Sequence, residues 1–377
     1  MKERKKVIRI TTVPTSLATF CKDMLRELSE RYEVVAVSSP LPELDKVRIE
    51  EGVRVEAVEM KRQIAPFSDL KSLWKMYRLM RRERPWLVHS MTPKAGLLSM
   101  LAAWMARVPN RVHTFTGLIW PTSTGIKRRI LILMDKLLCA CATKIIPEGN
   151  GVKRDLETYG ITRKPMKVLA YGNVRGIDLD YYCRNEYVIN QANNLSENEV
   201  FTFIFIGRLV KDKGINELVN AFVRFNEQYP KSKLLLVGRM EDELDPLLPK
   251  TISEINNNPA INAVGPQDDV RVWLAASDVF VFPSYREGFP NVVIEAGAMG
   301  LPSIVTDING SNEIIVDGEN GVIISSKNEQ KLYEAMVNMY QDKEMRMEMS
   351  SKARPMVASR FDCHVVRHAL YDFYKSL

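Results

Sequence analysis

Short apolar runs alternate with amphipathic stretches along almost the whole chain. Residues 7–13, 32–38, 53–58, 86–89, 111–116 and 144–147 are apolar and rich in β-branched or aromatic side chains, which predicts buried strands. Between them, residues 17–31, 70–84, 93–107 and 126–139 carry apolar residues at helical spacing. Strands that alternate with helices predict βαβ units and a parallel sheet covered on both faces. The pattern loosens near residues 165–199. Gly172, Gly176, the pair Tyr181-Tyr182 and the mostly polar run 185–199 predict a linker. A second alternating unit starts at residues 200–206. It continues through a helix near 214–227, a strand at 233–237 and further elements to residue 324, and residues 361–377 read as a last helix. The expected fold is α/β, with two doubly wound, Rossmann-like parallel sheets facing a cleft. The expected domains are 1–180 and 181–360, with helix 361–377 after them. Ligands of such sheets bind beyond the carboxyl ends of the strands.

One strand-to-loop junction concentrates the chemistry. The apolar run 279–283 ends in the turn Glu287-Gly288-Phe289-Pro290, and Asn291 stands where a helix N-cap belongs. Free backbone N–H groups and the positive end of a helix dipole then converge on one point, which suits a diphosphate. Glu287 and Glu295 flank that point. Carboxylates on both sides of a phosphate site suit the hydroxyls of a sugar nucleotide. Upstream, Gly207-Arg208-Leu209-Val210-Lys211-Asp212-Lys213-Gly214 places Arg208 and Lys213 at another strand-to-helix turn. Arginine offers a planar fork to phosphate oxygens and lysine a compact charge. Both would stabilise charge that builds on a leaving diphosphate.

These two segments resemble the donor-site signatures of the retaining glycosyltransferases of family 4, which have the GT-B fold. Glu287 and Glu295, with seven residues between them, resemble the family's glutamate pair, and 207–214 its Gly-Arg-Leu-x-x-x-Lys-Gly segment. The resemblance implies a nucleotide-sugar donor, with UDP the commonest nucleotide. The acceptor would be a glycan or polyprenyl-linked glycan of bacterial capsule or other surface polysaccharide synthesis. It implies that Arg208, Lys213 and Glu287 are catalytic, with Glu287 on the donor sugar and Glu295 on the ribose. Gly207, Gly288, Phe289, Pro290, Asn291 and Val292 would line the donor, and Gly265, with its neighbours, would meet the base. Gly310, Ser311 and Glu313 resemble the loop before the next helix. The final helix is expected to cross back to the first domain.

The acceptor half departs from the family pattern. Where many members have Thr-Phe-His-Gly, this chain has Thr114-Phe115-Thr116-Gly117, and no glycine-rich turn follows the first strand. Thr116 holds the usual histidine place. Strand alternation turns His113 to the opposite face, as a packed histidine would be. Thr15 and Ser16 remain as hydroxyls at a helix start, and with His113 and Thr116 they are the acceptor-side candidates. No Asp-x-Asp or histidine cluster stands at a phosphate-side loop, so no metal or other cofactor is expected.

Composition adds less. The 377 residues suit two domains, and the five cysteines are too scattered for disulfides or zinc. No leader or membrane span is apparent, which predicts a cytoplasmic protein. The net charge of +7 gathers in the first half, at residues 2–6, 78–84 and 127–129. With Trp120 and the apolar run 130–134, these clusters predict contact with an anionic membrane surface. Competing readings are a GT-B epimerase or glycosyl phosphorylase, an NAD-dependent oxidoreductase and a nucleic-acid-binding protein. The first strand lacks the glycine turn a dinucleotide needs, and Gly149-Asn150-Gly151 is followed by Arg154 in the sixth place. No nucleic-acid motif accounts for the glutamate pair, so no nucleic-acid partner is expected.

Overall fold

The computed structural model describes residues 4–61, 63–197, 199–241 and 245–377. The chain divides into two units, Met1–Gly176 with His364–Leu377, and Ile177–Cys363. The sheet of the first unit holds β1 (Lys6–Ile10), β2 (Glu33–Ser38), β3 (Arg54–Ala57), β4 (Leu87–Met91), β5 (Asn110–Phe115) and β6 (Lys144–Pro147), in the order β3-β2-β1-β4-β5-β6. The second holds β7 (Phe201–Ile206), β8 (Ser232–Val237), β9 (Ile261–Gly265), β10 (Val279–Phe282), β11 (Ser303–Thr306) and β12 (Gly321–Ile324), in the order β12-β11-β10-β7-β8-β9. All pairings within the sheets are parallel, for example Ile8 with Val35 and Val88, and Ile204 with Leu235 and Phe280. The central strands are buried on both faces because helices cover both, hence their apolar runs, whereas the edge strands β3 and β9 are partly exposed.

Each sheet reverses its strand order once, between β1 and β4 and between β7 and β10. That reversal opens a crevice at the carboxyl ends of the central strands. The core of the second unit is built largely on phenylalanine, with Phe203, Phe205, Phe222, Phe225, Phe280 and Phe282 all buried.

Four features differ from the sequence reading. The helix expected over 17–31 is two, Pro14–Phe20 and Met24–Ser29, because Asp23 between them adopts a left-handed conformation with φ 60°. A helix at Glu43–Glu51, which the reading did not include, follows β2. The expected linker contains the helix Glu186–Leu195; the Asn185 side chain accepts from Val188 N at 3.0 Å and so caps it, and Val188 and Ala192 are buried. Asn185 looked like a turn residue because capping and turning draw on the same side-chain chemistry. Asn291 is the first helical residue rather than the cap, which is Pro290 in an extended conformation.

The observed division falls at Gly176/Ile177 and Cys363/His364, within a few residues of positions 180 and 360. At the junction Ile177 N donates to Phe361 O at 2.7 Å and Cys363 N to Ile177 O at 2.9 Å, so the outgoing and returning segments are stitched together. The final helix Cys363–Lys375 packs in the first unit. Its Tyr374 hydroxyl accepts from the buried Arg9 guanidinium at 2.8 Å, and Tyr371 donates to Glu27 at 2.8 Å.

Candidate active site

The loops after β7 and β10 stand at the crevice of the second unit. The first leaves β7 at Gly207, makes a short 3₁₀ turn over Lys211–Lys213 and enters a helix at Gly214. Gly214 has φ 72°, and a Cβ there would lie 2.2 Å from the carbonyl oxygen of Pro283. Only glycine lets this turn press against the start of the second loop. The contact is reinforced on both sides. Tyr285 N donates to Asp212 O at 2.8 Å, Arg286 pairs with Asp212 at 3.1 Å, and Tyr285 Oη donates to Glu217 at 2.5 Å. Burial and the neighbouring Glu217 raise the Tyr285 phenol above its usual range, so it remains a donor.

That docking brings Lys213 to Glu287. The Lys213 ammonium pairs with Glu287 Oε1, and Ser284 Oγ donates to the same oxygen at 2.8 Å. Ser284 is fully buried, and its carbonyl accepts from Thr306 Oγ1 at 2.5 Å. Both contacts fall on Oε1. Lys213 and Glu287 keep 15% and 17% of their side chains exposed, enough to reach a substrate while largely shielded from competing water. The Lys213 ammonium also stands 5.5 Å above the Phe282 ring.

The turn that follows is packed from behind. Gly288, Phe289 and Pro290 are buried, and Phe289 meets Phe361 edge-on at 5.5 Å. Gly310 lies so close that a Cβ would come within 2.6 Å of Gly288 O, so the loop after β11, with buried Ser311, backs this turn. Helix Asn291–Ala298 then begins, with Asn291 and Val292 half-buried and Glu295 buried. Gly207, Gly238 and Gly265 end the neighbouring strands β7, β8 and β9; Gly207 N donates to Val237 O at 2.9 Å and Gly238 N to Gly265 O at 3.0 Å.

Arg208 lies on the same loop as Lys213 but pairs with Glu241 at 2.9 Å and is exposed. Among the described residues no contact joins it to Glu287. Glu241 was missed by the sequence reading because nothing in its local pattern marks it; the bridge between Leu209 and Met240 sets it opposite Arg208.

The residues expected on the acceptor side lie in the first unit. Thr15 is exposed and Ser16 half-buried on the helix Pro14–Phe20. Thr116 is half-buried just after β5. His113 is buried within the sheet layer, where Nδ1 meets Ser90 Oγ at 2.8 Å and the ring meets Phe115 at 4.6 Å. Burial pushes its pKa down to about 3, so the ring is neutral. At the strand reversal stand Thr12 and Thr92, which the sequence did not single out. Their hydroxyls meet at 2.9 Å, and Thr12 Oγ1 accepts from Ala95 N at 3.2 Å. Thr92 has φ 68° and ψ 142°, a rare conformation for a residue other than glycine.

Two sheets of this order, the second carrying a cation–carboxylate pair and a glycine-lined turn at its reversal point, define a GT-B glycosyltransferase. Residues 16–172 match the glycosyl transferase 4-like domain, and residues 189–356 match the glycosyl transferases group 1 family. The chain is 31% identical to the capsular polysaccharide biosynthesis glycosyltransferase CapM of Staphylococcus aureus, over 99% of this chain and 98% of that protein. It is 30% identical to the UDP-Gal:alpha-D-GlcNAc-diphosphoundecaprenol alpha-1,3-galactosyltransferase of Escherichia coli, over 80% of this chain and 78% of that one. Its fold matches Anabaena HepE in complex with UDP-glucose, with a TM-score of 0.83, 19% identity and coverage of 99% of this chain and 100% of that chain. The chain belongs to glycosyltransferase family 4.

Proposed function

We propose that the protein moves a hexosyl or N-acetylhexosaminyl group from a UDP-sugar to a lipid-linked glycan, with retention at the sugar carbon, in the assembly of a capsular or other surface polysaccharide. The observation that carries the donor half is the Lys213–Glu287 pair at the strand reversal of the second unit. It supports the reading because a cation suits a diphosphate and the carboxylate beside it suits sugar hydroxyls. The names of the Staphylococcus and Escherichia relatives support the pathway and the acceptor class.

In the proposed reaction the bond from the sugar carbon to the diphosphate breaks, and its electron pair leaves on the phosphate oxygen. The acceptor hydroxyl bonds to that carbon on the same face, and its proton passes to the departing oxygen. Lys213, Arg208 and the start of helix Asn291–Ala298 stabilise the charge gathered on the diphosphate. An ammonium has three donors, so Lys213 can hold a phosphate while still touching Glu287. Arg208 would trade Glu241 for the phosphate when donor arrives. Glu287 Oε2 would orient the sugar hydroxyls, and Glu295 the ribose. No metal is assigned a role, and turnover should survive chelation with EDTA.

Among the described residues no helix is long and apolar enough to cross a membrane. We place the protein in the cytoplasm, on the inner face of the cell membrane, where the basic clusters at 78–84 and 127–129 meet anionic lipid. Of the first cluster, at 2–6, residues 2 and 3 lie outside the described residues. The deciding experiment supplies labelled sugar nucleotides with and without a polyprenyl-diphosphate-linked glycan. Acceptor-dependent product with the donor's anomeric configuration is expected. An inverted product would remove the retaining assignment. An isomerised sugar nucleotide formed without acceptor would favour an epimerase.

A further inference from the structure

The loop after β8 runs along the loop that carries Arg208 and Lys213, and hydrogen bonds tie the two together. Leu209 N donates to Arg239 O at 2.8 Å, Lys211 N to Asp245 O at 3.2 Å and Asp212 N to Asp245 Oδ2 at 2.6 Å. Further on, Leu248 N donates to Asn216 Oδ1 at 3.0 Å, in the helix that follows Lys213. Glycines allow the approach at its start, since a Cβ on Gly238 would lie 1.8 Å from Gly207 O. The pairing of β7 with β8 therefore resumes beyond the strands, and the bridge between Leu209 and Met240 sets residue 241 across from residue 208. Backbone pairing, more than side-chain reach, holds Glu241 beside Arg208.

The ion pair that results is a weak one. Arg208 Nη1 donates to Glu241 Oε2 at 2.9 Å in a single contact, with 48% of the arginine and 31% of the glutamate side chain exposed. Among the described residues neither has a second ionic partner. A pair this open to water stabilises little, so a ligand with more charge than one carboxylate can displace it. A diphosphate carries that charge, and its oxygens match the guanidinium fork.

We infer that Glu241 is a resident competitor for Arg208, a positioning residue whose carboxylate holds the guanidinium in the free enzyme and reclaims it as the nucleoside diphosphate departs. The inference rests on the role proposed above for Arg208 and deepens it, by assigning control of nucleotide affinity to Glu241. Arg208 meets the diphosphate of donor and product alike, so a tight grip on the first slows release of the second. A carboxylate that occupies the guanidinium weakens both in proportion to the fraction of molecules in which Arg208 is free. The competitor also belongs to the framework that aligns Lys213 with Glu287. Asp245 holds Asp212, and Asp212 in turn holds Tyr285 N and Arg286 of the loop after β10.

The test titrates the full chain with UDP by calorimetry and measures inhibition of transfer by UDP. Glu241→Gln keeps the size of the side chain and removes its charge. It should bind UDP about fivefold more tightly, the upper end of what an exposed ion pair contributes. The donor KM should fall by a similar factor, and UDP should inhibit at correspondingly lower concentration. Glu241→Asp, which keeps the charge on a shorter chain, should fall between the two. In an Arg208→Ala background Glu241→Gln should change nothing, because no guanidinium is left to compete for. Damage to the fold does not tighten binding, so a gain separates this role from a structural one. If Glu241→Gln fails to fold, Glu241→Ala gives the same readout. Equal or weaker UDP binding by the folded variant overturns the inference and leaves the donor reading standing. The same gain in the Arg208→Ala background also overturns it, since mere removal of negative charge near an anion site would then be the cause. Wild type that binds no nucleoside diphosphate would sink the donor reading, and this inference with it.

Discussion

The two units share one strand order, yet their reversal points carry different chemistry. In the second, a lysine and a glutamate face one another, supported by a buried serine, and glycines let the loops press together. In the first, two threonine hydroxyls meet across the same topological position, and the charged groups lie deeper. Arg9, a residue of β1, is buried and is held by His89 at 2.7 Å and Tyr374 at 2.8 Å instead of a carboxylate. Burial and the nearby Arg9 charge keep His89 neutral by lowering its pKa well below the usual value. A parallel sheet supplies a crevice wherever its order reverses, but the loops decide what the crevice can hold. A charged pair suits a diphosphate that must leave, and hydroxyls suit the neutral hydroxyl groups of a sugar that must be positioned.

The comparison is tested most severely at Lys213. Lys213→Ala should lower kcat about a hundredfold, the loss expected when one charge-stabilising donor goes; release of nucleoside diphosphate measures it. The matching change in the other unit, Thr92→Val, should leave slow donor hydrolysis without acceptor unchanged. If it abolishes that hydrolysis, the division of labour between the two reversal points fails. Arg208→Ala should also cost about a hundredfold if donor binding draws the guanidinium away from Glu241. A near-normal rate would confine the stabilisation to Lys213 and the helix start.

Ser284→Ala should act more gently, with about a tenfold fall in kcat/KM, because it frees the Glu287 carboxylate to rotate without removing it. Thr at the same position should restore part of the loss, which simple destabilisation of the loop would not allow.

The smallest effect concerns Asp135 in the first unit. Burial raises its pKa from 3.8 to about 7, against the opposing hydrogen bond from Trp120. The folded state therefore keeps a proton that the unfolded chain releases above 3.8. Its contribution to stability is fullest in acid, falls as pH rises toward about 7, and changes little beyond. Asp135→Asn should flatten that part of the melting-temperature profile while Asn Oδ1 still accepts from Trp120. An unchanged slope would mean that another group sets it.

Much of the loop after β10 could be read from the chain because its pattern is local. A strand, a glycine turn and a helix start follow one another within fifteen residues or so, and Glu287 and Glu295 lie inside that span. The partner of Glu287 was harder to read, since Lys213 comes from a loop 74 positions earlier. Arg208 was expected beside Lys213 because they share a loop, but Glu241 takes its guanidinium. Thr12 and Thr92 carry no motif at all; they meet only because β1 and β4 are neighbours.

By itself the chain determined its alternation of strands and helices, its two parallel sheets, the turn after β10 and the glycines around it. These follow from side-chain periodicity and from conformations that few residues can adopt. Tertiary structure alone decided which loops meet and which oxygen of Glu287 is held. Those outcomes depend on strand order and on packing between distant segments, and no local pattern encodes either.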